Sequence, residues 1–243
     1  TEKLTNQPNN INNINNINDN HENNNNNSND MNGIYGLAYD QLNQINVIPV
    51  MERGYNGSGV TVLIVDSGFQ QRHVALHRPP SSSSSSQQQQ QHPLTIVDTF
   101  DFVNNDTNVD NDSTDDYHGT QCLGLMAAYH ADTYISPAYG ARYLLAKTED
   151  VPTESSTEED NFVRAIEWGL ERGAQVLSAS LGYAEPMYTP KSAVFNGNTT
   201  ILSRAINRAS IDHGLICVVA MGNEGPDAMT LTIPSDSFHS ISV

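Results

Sequence analysis

The sequence predicts an α/β domain, a doubly wound and mostly parallel sheet with helices on both faces. Three observations carry this. Short β-branched apolar runs next to glycine, such as Val-Thr-Val-Leu-Ile-Val at 60–65 and Leu-Ile-Cys-Val-Val-Ala at 215–220, read as strands buried on both faces. Between them lie segments with apolar residues at helical spacing, and strand, helix, strand, helix, strand in that order calls for right-handed crossovers. Polar residues also stand at the carboxyl ends of the runs, where open α/β sheets bind ligands.

Asp66 ends the first run, and Ser67-Gly68 lets the chain turn away from its carboxylate. A lead-in helix is expected at 39–45, and a short strand at 95–97 is followed by an acidic loop to Asp116. In that loop Asp106, Asn108, Asp110 and Asp112 alternate as in a calcium loop, yet Asn111 stands where Gly is needed and Tyr117 where a bidentate Glu is needed. An EF-hand is therefore rejected, and calcium is not assignable to a residue set.

His118-Gly119-Thr120 opens a buried helix through Leu123 and Ala127, with the histidine in the first turn and Gly119 allowing close backbone approach. Residues 143–146 form the next strand. Glu154, Glu158, Glu159 and Asp160 then gather at a helix start, where the macrodipole favours them. That helix carries the stripe Phe162, Val163, Ile166 and Leu170 and closes at Gly173. A strand at 176–180 runs into Leu181-Gly182, a second amphipathic helix spans Ile201 to Ala209 with Gly214 as its cap, and the strand at 215–220 leads to Met221-Gly222-Asn223-Glu224-Gly225.

Two tracts stand apart. The Asn-rich leader at 1–33 offers too little apolar surface to offset ordering and is expected to be disordered. A Ser/Gln-rich tract at 79–92 reads as an insertion in a surface loop of the domain at 34–243.

Composition narrows the classes of partner. Lys and Arg total 11 against 28 Asp and Glu, a net charge of −17, which argues against nucleic acid or an anionic membrane surface. No run reaches the roughly 18 apolar residues of a membrane span. No signal-peptide pattern is visible, and the localisation stays open, with a secreted or endomembrane compartment compatible with the glycosylation-type sequences at Asn56, Asn105, Asn111 and Asn198. Cys122 and Cys217, the two cysteines, read as buried free thiols, too few for a cysteine metal site.

Asp66, His118 and Asn223 now form a set. Acyl transfer needs a carboxylate to hold a histidine in one tautomer, a histidine to move protons, and an amide donor for the developing oxyanion. On these residues the chain resembles the subtilisin-like serine peptidases, the subtilases. Residues 59–68 are similar to their aspartate motif, His118-Gly119-Thr120 to their histidine motif, and 220–225 to their oxyanion-hole motif. Ser180-Leu181-Gly182 resembles the segment that pairs with substrate as an added strand.

The resemblance implies a serine endopeptidase acting on polypeptides without a required cofactor or metal. Asp66 would orient the imidazole, His118 would serve as base and then acid, and Asn223 would donate to the oxyanion. Two departures stand out. Met221 replaces a smaller residue, and no Gly-Thr-Ser, the nucleophile motif of the family, occurs in the chain. The sheet is accordingly expected to be incomplete at its C-terminal side, the 243 residues alone inactive, and the nucleophile to lie past Val243. The competing readings are a subtilase homologue that binds peptides without cutting them, and a phosphotransfer or nucleotide-binding domain using Asp66. Gly57-Ser58-Gly59 precedes its strand instead of following it, which counts against the last.

Overall fold

The computed structural model describes residues 33–76, 94–110, 117–130, 132–150, 155–184, 188, 191–226 and 230–243. The leader, apart from Gly33, and the Ser/Gln tract lie outside them, as do Asn111 and Asp112.

Six strands form one sheet: β1 (Thr61–Asp66), β2 (Thr95–Asp101), β5 (Arg142–Lys147), β6 (Val176–Ala179), β7 (Ile216–Val219) and β8 (Ser240–Ser242). Their spatial order is β2-β5-β1-β6-β7-β8, and every pairing is parallel. β1 lies inside the sheet, flanked by β5 and β6, with Asp66 in register with Lys147. All six of its residues are buried, which explains why its sequence shows no alternation of apolar and polar positions.

Alternate residues of β1 enter different cores, as the pleat requires. Leu63 and Val65 join Leu144, Leu177 and Val219 against helices α4 (Thr157–Glu171) and α6 (Ile201–His213), contributing Phe162, Ile166, Leu202 and Ile206. Val62 and Ile64 join Tyr143 and Leu145 on the opposite face, against Leu123 and Ala127 of helix α3 (His118–Ala127). Helices thus cover both faces, as expected of a doubly wound sheet. The expected Gly214 cap of α6 is present, in the left-handed region at φ 70°, and at the other end Thr200, which the sequence reading did not single out, caps the start by accepting from the Ser203 N–H at 3.2 Å.

The remaining differences are local. The lead-in is two helices, α1 (Tyr39–Gln44) and α2 (Ile48–Glu52), which pack Leu42 and Ile48 onto Ile135. An antiparallel pair, β3 (Tyr129–His130) with β4 (Tyr134–Ile135), lies beside them. A four-residue helix, α5 (Lys191–Val194), precedes α6. β2 continues four residues past the expected strand to Asp101, because β5 offers it a ladder that outweighs the poor strand propensity of Asp98 and Asp101.

Candidate active site

The carboxyl ends of β1, β6 and β7 lie side by side, and they carry Asp66, Ser180-Leu181-Gly182 and the turn to Asn223. Parallel pairing, not any local preference, gathers residues so distant in sequence. His118 arrives from the other direction, as the first residue of α3.

Asp66 is fully buried, and its Oδ1 lies 2.7 Å from Nδ1 of His118. A carboxylate only accepts, so the geometry assigns the proton to Nδ1 and leaves the lone pair on Nε2. Oδ1 also accepts from the Ser67 N–H at 2.8 Å and the Ser67 hydroxyl at 3.1 Å, which fixes the carboxylate before the imidazole docks. The His118 side chain remains 49% exposed, so the ring is held to Asp66 through Nδ1 while much of its surface stays accessible to solvent.

Gly119 explains the close fit. A Cβ there would lie 2.2 Å from the Gly68 carbonyl oxygen and 3.0 Å from Asp66 Cβ and Oδ1. Only glycine lets α3 approach the end of β1 closely enough for this contact.

Cys122, one helical turn beyond His118, departs from expectation. Cys217 is buried, but Cys122 is only partly so. Its sulfur lies 3.9 Å from both ring nitrogens of His118 and contacts Asp66 and the Ser180 side chain. Burial first, then the charge of Asp66, pushes this thiol up to about 11. The i, i+4 spacing of His118 and Cys122 was the available sequence signal for it. Among the described residues, Asp66, His118 and Cys122 form the group whose ligand-type atoms lie close enough for a metal, within 4.8 Å of one another. Equal distances from sulfur to both nitrogens mean that no ring lone pair is aimed at it.

The segment after β6 lies next to this pair. Among the described residues, Ser180, Leu181 and Gly182 make no backbone-to-backbone hydrogen bond, whereas Tyr183 exchanges two with Ile233, each 2.8 Å. Asn223 is exposed, its N–H donating to Glu224 Oε2 at 2.9 Å. Its carboxamide takes no hydrogen bond from another described residue.

Of the acids at the start of α4, Asp160 is exposed and two are not. Glu158 and Glu159 are buried, Glu158 accepting from the Asp150 N–H and Glu159 from the Tyr188 hydroxyl. Beside them Glu149 accepts from the Tyr183 hydroxyl at 2.6 Å and from Thr148 at 3.0 Å. Burial first, with the charges of Glu158 and Asp66, holds Glu149 up at about 7 against the opposing effect of its two donors. No periodicity in the sequence pointed to this group. In the acidic loop Asp106 and Asn108 accept backbone N–H groups of their own turns, and Asp110 accepts from the Gln71 N–H.

Comparison with known proteins gives the family and the fold. The model of the subtilase family matches residues 57–243. Among curated proteins, the chain is 28% identical over 196 residues to the minor extracellular protease Vpr of Bacillus subtilis (strain 168), covering 78% of this chain and 21% of that protein. It is 24% identical to subtilisin of Bacillus pumilus, over 74% of this chain and 54% of the relative. Thermitase of Thermoactinomyces vulgaris is 27% identical over 71% of this chain and 50% of its own length. The chain thus spans about a fifth to a half of these relatives. A crystal structure of MycP1 with the N-terminal propeptide removed shares the fold, with a TM-score of 0.51 at 23% identity, covering 82% of this chain and 54% of that one.

Proposed function

The chain belongs to the subtilase family, and from that premise we propose that it is the amino-terminal part of the catalytic domain of a serine endopeptidase. The observation that carries the reading is the 2.7 Å contact of Asp66 with His118 at the sheet edge shared with Ser180-Leu181-Gly182 and Asn223.

In this mechanism a peptide lies along 180–182, pairing with backbone groups that make no backbone hydrogen bond to another described residue. Asp66 keeps the Nδ1 proton in place, so Nε2 of His118 faces the substrate as the base. It takes the proton of the nucleophilic serine as that oxygen attacks the scissile carbonyl, then returns the proton to the leaving amine. The Asn223 carboxamide donates to the oxyanion, where a single donor is typically worth about 3–4 kcal/mol in the transition state. Asp66 stabilises the imidazolium without becoming protonated. No step calls on a metal or cofactor.

Since no Gly-Thr-Ser occurs in the 243 residues, the nucleophile would come from sequence outside them, in keeping with the greater length of the relatives. The fragment by itself would then be inactive. A second reading is a subtilase homologue that holds peptides without cutting them, with another residue in the place of the family's serine. Polypeptides are the partners in both. A net charge of −17 disfavours nucleic acid, and no helix among the described residues is long and apolar enough to cross a membrane. Secretion fits one relative, which is named as extracellular.

The deciding experiment is covalent labelling of the full-length protein with a serine-directed phosphonate. Labelling that disappears in His118→Ala supports the peptidase. A folded protein that takes no label while binding peptides is the non-cutting homologue.

A further inference from the structure

The proposed groove has an acidic wall that the catalytic steps leave unused. β5 and β6 flank β1, so the residues that follow both strands run past the end of β1. Thr148, next after β5, donates its N–H to the Asp66 carbonyl at 3.0 Å. Glu149 comes next, and its carboxylate meets the Tyr183 hydroxyl at 2.6 Å. Tyr183 directly follows Gly182, and its own backbone is pinned to Ile233. The Glu149–Tyr183 bond therefore joins the chain that follows β5 to the chain that follows β6, on either side of β1, and sets the carboxylate one tyrosine side chain away from the residue after Gly182.

Among the described residues, the charged groups that act on Glu149 are acids. Asp66 faces it from β1, Glu158 from α4, and Tyr183 from the chain after β6. Among the described residues, lysine, arginine and histidine make their ion pairs elsewhere, Lys147 with Asp101 and His118 with Asp66. Glu149 as a residue is partly buried, not sealed off. Two neutral donors hold this carboxylate in position, and a cation brought by a ligand would complete it.

We infer that Glu149, held by Tyr183, is a specificity-determining residue that selects peptides carrying a lysine or arginine side chain over the 180–182 segment. This rests on the peptide-groove reading above. A basic side chain gains a charge-assisted hydrogen bond, a neutral one leaves the carboxylate without a counterion, and an acidic one adds a further negative charge. Because burial and its acidic neighbours hold Glu149 near 7, the selectivity grows as pH rises through neutrality.

The test is peptide binding, read by fluorescence anisotropy, to the full-length protein carrying His118→Ala so that nothing is cut. Labelled hexapeptides carry lysine, norleucine or glutamate at each position in turn. At one position lysine should bind about tenfold tighter than norleucine at pH 8, the scale of one hydrogen bond to a charged group. That ratio should fall toward one at pH 5.5, with a midpoint near 7. Glu149→Gln should bring it to about one at pH 8. Tyr183→Phe, which keeps the carboxylate but removes a donor that favours its charge, should move the midpoint upward. Equal binding of lysine and norleucine at every position, a preference unchanged in Glu149→Gln, or no binding of any peptide by the folded protein overturns the inference. A lysine preference in a protein that takes no phosphonate label leaves it standing and removes only the catalytic reading.

Discussion

Asp66 and His118 lie 52 residues apart in the chain, yet Oδ1 of one and Nδ1 of the other are 2.7 Å apart. The buried partner is fixed by the backbone and side chain of Ser67, and the exposed partner is fixed by the buried one. Orientation therefore passes outward from β1 to the ring.

Asp66→Asn keeps the volume of the buried side chain but offers the wrong hydrogen-bonding partner to Nδ1. In the full-length protein kcat/KM on a peptide substrate should fall by about 10⁴-fold, as for the equivalent change in Ser-His-Asp enzymes. Thermal unfolding followed in parallel separates lost orientation from lost fold. An activity loss of less than tenfold with the fold intact would remove Asp66 from the mechanism.

Two glycines of α3 should respond with opposite sign. Gly119→Ala drives a methyl into the Gly68 carbonyl at 2.2 Å, and the backbone must give way at a cost of about 1–3 kcal/mol, loosening the His118 contact as well. Gly124→Ala meets nothing within 4 Å and should gain up to about 1 kcal/mol from helix propensity. Denaturant midpoints of the two variants read the contrast directly.

Glu149 should leave a mark on stability against pH. Its folded value is raised from 4.5 to about 7, so the folded state binds the proton more tightly than the unfolded chain across that interval. Stability from this group is complete below about 4.5 and is lost as pH rises through 7. The wild type should therefore lose about 2–3 kcal/mol relative to Glu149→Gln between pH 4.5 and 8, at about 1.4 kcal/mol per pKa unit. Parallel pH–stability curves for the two proteins would refute this.

Cys122 should be a poor nucleophile despite its exposure. With its thiol held near 11, chiefly by burial, the thiolate fraction at pH 8 is about 100-fold below that of a free cysteine. Alkylation by iodoacetamide, followed by peptide mass mapping, should be slower by a similar factor. Cys217, pushed up to about 12 by burial, should be slower still.

The Asp66–His118 contact was legible because each half is written locally. An unbroken apolar run ending in Asp66 can only be a two-face-buried strand, and His118-Gly119 opens an apolar helix, so each residue is placed by its own neighbours. The Glu149–Tyr183 contact joins positions 34 apart that no periodicity links. Glu158 and Glu159 look like ordinary first-turn acids, and their burial follows from the packing of the chain around Asp150 and Tyr188. The extension of β2 to Asp101 depends likewise on β5, a partner more than forty residues away.

The sheet order also sets a timetable. The strand holding Asp66 is made first, yet its neighbours are residues 142–147 on one side and 176–179 on the other. At roughly 5–20 residues per second of synthesis, several seconds separate the two edges of β1 from their partners. During that interval an apolar strand has both ladders open, which is the condition under which nascent chains associate wrongly. The arrangement that puts Asp66 at the centre of the crevice therefore makes its strand the one most in need of protection on the ribosome.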